Sequence, residues 1–70
     1  MIDGNKLKGK MVEKDINVDA LSRALGINPA TFYRRMAQGT FNCIDIENIV
    51  NALGLSVDEA LSIFFAKSLA

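Results

Sequence analysis

Histidine and tryptophan are absent from this 70-residue sequence, and cysteine, proline and tyrosine occur once each. Without histidine there is no His-based catalytic triad, no histidine metal site and no imidazole pH switch. The single Cys43 leaves no internal disulfide, so the fold must stand on its core, as expected of a cytoplasmic protein in a reducing compartment. No apolar run approaches the roughly 20 residues that a membrane helix needs. The segment Met1 to Lys10 is polar, with three lysines and no apolar stretch after them, so it is no secretory signal. An excess of charge of one sign is missing too: eight Lys plus Arg stand against eight Asp plus Glu. Nucleic-acid-binding domains tend to be basic, so the total weighs against that function. The distribution does not. Residues 1–38 carry seven basic and four acidic side chains, a net +3, and residues 39–70 carry one basic and four acidic, a net −3.

What is present reads as one compact all-α domain over residues 1–70, with 50% hydrophobic and 23% charged residues. Apolar residues recur at three- and four-residue steps, most clearly at Ile46, Ile49, Val50 and Leu53. Asn17, Asn28, Asn42 and Ser56 are good N-caps. Each follows an apolar residue that pairs with another inside the helix: Ile16 with Leu21, Ile27 with Phe32, Phe41 with Ile46, Leu55 with Ala60. Ser56 and Glu59 form a capping-box pattern, and Gly26, Gly39 and Gly54 stand where left-handed residues would end helices. The spacing predicts five helices, at 5–14, 18–25, 29–38, 43–53 and 57–68.

Between the second and third helices lies only Gly26-Ile27-Asn28, with Pro29 at the first helical position, where its missing N–H does no harm. This predicts a helix-turn-helix corner, although a plain bundle hairpin uses the same signals. On the third helix Phe32 and Met36 face inward, which turns Tyr33, Arg34 and Ala37 outward, with Ala30, Thr31, Arg35 and Gln38 on the flanks. That surface carries two arginines, a tyrosine and a glutamine and no acid. Arginine bonds guanine edges, glutamine bonds adenine, and the Ala and Thr methyls touch the thymine methyl.

The stretch Val18–Met36 (VDALSRALGINPATFYRRM) resembles the helix-turn-helix of the lambda-repressor/Cro-like (XRE) family of phage and bacterial transcriptional regulators. Leu21, Leu25, Gly26, Ile27 and Phe32 take the family's apolar and glycine positions, and the five-helix layout extends the likeness over nearly the whole chain. Three residues depart from the pattern. Ser22 stands where the family usually has Ala. Arg35 replaces an apolar residue, with Met36 taking its packing role, and Pro29 and Ala30 replace polar side chains that often read bases. The resemblance implies the third helix in the major groove, with Asn28, Ala30, Thr31, Tyr33, Arg34 and Gln38 near bases. It implies phosphate contacts from Asn17 and Val18 at the start of the second helix, and from Arg35, Thr40 and Asn42, with Lys10 and Lys14 weaker candidates. Small members bind two half-sites as dimers. Phe64 and Phe65 lie about 100° apart on the last helix, so Val57, Leu61, Phe65 or Leu69 would form a homodimer interface unless both phenylalanines fill the core.

The remaining residues imply no chemistry. Cys43 reads as a small buried or half-buried apolar residue. Asp45, Glu47, Asp58 and Glu59 read as first-turn carboxylates offsetting helix dipoles, not as metal ligands or catalytic acids. The serines have no base to activate them. The expectation is a DNA-binding repressor that occupies a double-stranded operator, with no enzymatic activity, cofactor, metal, membrane partner or small-molecule substrate. The alternative is a helical interaction module, antirepressor- or antitoxin-like, that has lost DNA readout. From Met1 to its apolar last helix, the chain reads as a complete small protein more than as the excised domain of a longer repressor.

Overall fold

A computed structural model describes residues 2–66. The described residues form helices and connections without a strand. The helices are α1 (Gly4–Glu13), α2 (Val18–Leu25), α3 (Pro29–Gln38), α4 (Cys43–Leu53) and α5 (Val57–Phe64). Each predicted cap is made. Asn17, Asn28 and Asn42 accept the N–H of Ala20, Thr31 and Asp45 at 2.8 Å, and Ser56 accepts that of Glu59 at 3.1 Å. The Ser56/Glu59 capping box is present, and Asn42 with Asp45 makes a second one. Gly26, Gly39 and Gly54 all take positive φ where α2, α3 and α4 end.

The boundary of α1 differs by one residue from 5–14, because Asp3 is its N-cap and accepts the Lys6 N–H. Its other end turns without a glycine. Asp15 adopts φ 57°, and the Ile16 N–H closes the turn on the Met11 carbonyl at 2.9 Å. Aspartate tolerates this region better than most side chains, which is why no glycine signal marks the turn.

The core joins all five helices through Leu7, Met11, Leu21, Phe32, Met36, Ile49, Leu53, Leu55, Ile63 and Phe64. The main helix packings are α2 with α4, α2 with α3, and α1 with α5. Aromatic contacts run from Phe32 to Phe41 (ring centroids 5.4 Å apart) and on to Phe64 (6.5 Å), joining α3 to the end of α5. The Asp3 N–H donates to the Ile63 carbonyl at 2.7 Å, which ties the start of α1 to α5.

Three expectations are corrected. Helix α5 stops at Phe64, short of the predicted residue 68, with Phe65 at φ −128°. No glycine or proline marks that end, so periodicity alone overruns it. Phe64 is buried whereas Phe65 is 47% exposed, so the two do not both fill the core. Cys43 is exposed, and so is its neighbour Ile44, whereas Asp45 is the buried residue of that first turn. Glu47 lies past that first turn, where only Asp45 is acidic. Leu69, expected in an interface, lies outside the described residues.

Candidate nucleic-acid interface

The corner between α2 and α3 is set by backbone conformation and by the side chains buried beneath α3. Gly26 at φ 71° ends α2, and the Ile27 N–H returns to the Ser22 carbonyl at 3.1 Å. Asn28 then caps α3, and Pro29 opens it. Phe32 and Met36 are buried beneath the helix. The opposite face turns out Asn28, Ala30, Tyr33, Arg34 and Gln38, all exposed, with Thr31 half-buried beside them. Tyr33 is 51% exposed, its ring edge-on to Phe32 with centroids 6.2 Å apart.

The electrostatics of this face are one-sided. The first turn of α3 has no acid, and Arg34 makes no ion pair among the described residues. At the starts of α2 and α4 the caps hold the third helical N–H, while those of Val18 and Cys43 lie ahead of the helical ladder, in the position that attracts anions. Asp19 in the first turn of α2 opposes an anion there.

Two cations expected on phosphates are otherwise engaged. Lys10 bonds Glu13 at 3.0 Å and also pairs with Glu59 on α5, which raises its pKa, the Glu59 bond contributing most. The same bond, with the N–H and hydroxyl of Ser56, lowers the Glu59 pKa from 4.5 to about 2. Arg35 is half-buried, its Nη1 donating to Asp45 Oδ2 at 2.9 Å. Thr40 and Asn42 are both exposed in the connection that this pair spans.

The fold also assembles what spacing does not reveal. An open groove is lined by Val12, Asp15, Asn17, Val18 and Tyr33, so the start of α2 and the middle of α3 border one depression. Val12 is 81% exposed at its rim. By sequence Leu7, Met11 and Val12 read together as the apolar face of α1, and the fold buries only the first two.

A two-helix corner with a cationic, acid-free second helix and flanking amide ends defines a DNA-binding helix-turn-helix. The family model of the Cro/C1-type HTH DNA-binding domain matches residues 6–65, and the chain belongs to that family. It is thus a DNA-binding regulator built on this domain. Comparison with curated proteins and with solved structures finds no significant match. Among the described residues no helix is long and apolar enough to cross a membrane, and no cluster of three or more His, Cys, Asp or Glu forms a metal site.

Proposed function

We propose that the protein is a repressor of phage or mobile-element type, acting in the cytoplasm by placing α3 in the major groove of an operator. The observation that carries this reading is the outward face of α3, where Tyr33, Arg34 and Gln38 stand exposed with no carboxylate among them. Arg34 provides the strongest base contact, a guanine edge, and Gln38 suits adenine, with Ala30 and Thr31 against thymine methyls, while Asn28, its oxygen engaged in the cap, offers its amide N–H groups to a base acceptor. Asn17, Val18, Thr40 and Asn42 hold the flanking phosphates through helix-start N–H groups and short polar side chains. Lys10 and Arg35, each bound to a carboxylate, take no phosphate in this scheme.

Val57, Leu61 and Phe65 are exposed apolar residues at α5, and they supply the interface of a homodimer that binds two half-sites one helical turn apart. A salt titration of binding to random duplex DNA tests the main reading. Affinity should fall steeply as salt rises, with a slope set by several neutralised phosphates. No measurable binding at low salt would make the chain an interaction module instead. Sedimentation on and off DNA tests the dimer, which a species monomeric in both conditions would exclude.

A further inference from the structure

We propose that Arg35 is a positioning residue for DNA recognition: paired with Asp45, it fixes α3 against the start of α4 and neutralises no phosphate itself. This rests on the DNA-binding reading above. Arg35 closes the α3–α4 connection at two levels. Its carbonyl accepts the Thr40 N–H at 2.9 Å, completing the left-handed turn at Gly39, and its guanidinium reaches Asp45 Oδ2 at 2.9 Å. The same Oδ2 accepts the Asn42 N–H at 3.3 Å, while Asn42 Oδ1 accepts the Asp45 N–H at 2.8 Å. One carboxylate oxygen therefore joins the end of the recognition helix to the cap of the next helix.

Asp45 is 5% exposed, so its charge is withdrawn from water and depends on this partner. Guanidinium suits that role, being always charged and rigid in its donor geometry. The main helix packings leave α3 and α4 oriented mainly through α2, so the ion pair is a direct side-chain tie between them. Adjacent arginines thus divide the work. Arg34 stands outward without an ion-pair partner among the described residues, and Arg35 turns back to set the angle at which Arg34 meets a base. A small rotation of α3 misplaces base-edge contacts, which need close geometry, far more than it disturbs general attraction to phosphates.

The test uses the whole chain and duplex sites that it selects from a random pool. Three variants are compared with the parent across a range of salt, on a selected site and on random duplex. Arg35→Met removes the pair. Arg35→Met/Asp45→Asn leaves no unpaired buried charge and keeps an oxygen for the Asn42 N–H, so it serves if the single variant fails to fold. Arg35→Lys keeps the charge without the fork. The expected result is the parent's salt slope on random duplex in every folded variant, with preference for the selected site reduced at least tenfold by the double substitution and less by Lys. A slope shallower by about 0.9 in the Met variants, the signature of one lost phosphate contact, overturns the proposal, as does an unchanged preference. If the parent binds neither duplex, the DNA-binding reading itself fails and the proposal falls with it, an outcome distinct from either result.

Discussion

Helices α3 and α5 are both short, both bury one face in the same core, and both turn the other to solvent. Their outer faces are of opposite kinds. That of α3 is polar and cationic, with Tyr33, Arg34 and Gln38, whereas that of α5 is apolar, with Val57 and Leu61 followed by Phe65. The carboxylates follow the same division. On α5 Glu59 binds Lys10 across to α1, and Asp58 lies beside it in the first turn, whereas α3 has no acid in its first turn and leaves Arg34 unpaired among the described residues. The two exposed faces therefore differ in chemistry, cationic and polar on α3 and apolar on α5.

The comparison assumes that both helices keep their places, and the largest effect comes from removing what holds them. Phe32 is fully buried beneath α3 and touches Phe41, which in turn meets Phe64 at the end of α5. Phe32→Ala should cost about 3–5 kcal/mol, enough to unfold much of a chain this small, as chemical denaturation would report. A loss below about 1 kcal/mol would mean that the aromatic chain does not couple the two helices. Next come the outer faces themselves. Arg34→Ala should cost roughly 1–3 kcal/mol on a selected site and relax its specificity. Phe65→Ser should weaken self-association by about tenfold, or 1.4 kcal/mol, while leaving affinity of the monomer for random duplex unchanged. If Arg34→Ala weakens all sequences equally, Arg34 is a phosphate contact and α3 loses its reading role. If Phe65→Ser leaves sedimentation unchanged, the exposed face of α5 is not the dimer contact.

Much of this difference was legible in the sequence because it is local. Caps at Asn17, Asn28, Asn42 and Ser56 depend on contacts three residues away, and the inward turn of Phe32 and Met36 follows from one helical turn. The candidate base-reading face of α3 was visible for the same reason. What was missed depends on tertiary approach or on an exception to local rules. Asp45 reads as a helix-start carboxylate, and only the folded connection brings Arg35, ten residues earlier in the chain, onto it. Asp15 takes a glycine's conformation. Cys43 is in phase with the stripe that begins at Ile46, yet the core leaves it exposed.

Ser22 provides a sharper, smaller test on the scaffold that α3 shares with α4. Its hydroxyl is buried on α2 without a hydrogen-bond partner among the described residues. An unsatisfied buried hydroxyl is unfavourable, and alanine is also the better helix former, so Ser22→Ala should stabilise by about 1 kcal/mol. In a domain of this size that raises Tm by roughly 4–8 °C. DNA preference should not change, since the side chain lies away from the exposed face of α3. An unchanged or lower Tm would indicate that the hydroxyl is satisfied in solution.

The smallest effect concerns the carboxylate that distinguishes α5 from α3. The Lys10 ammonium, then the Ser56 N–H and hydroxyl, hold the Glu59 pKa at about 2, below its ordinary 4.5. The folded state therefore binds the Glu59 proton less readily than the unfolded chain does, so the contribution to stability is complete above the unfolded value and is lost as pH falls through the window from about 4.5 to about 2. Glu59→Gln should flatten the fall in Tm across that window while changing neutral stability little, because the pair is only half-buried at the surface and is screened by salt. Raising the salt concentration should shrink the same step in the parent protein. A parent profile that already lacks the step would mean that Lys10 is free in solution, and α1 would then present a cation that this arrangement assigns to α5.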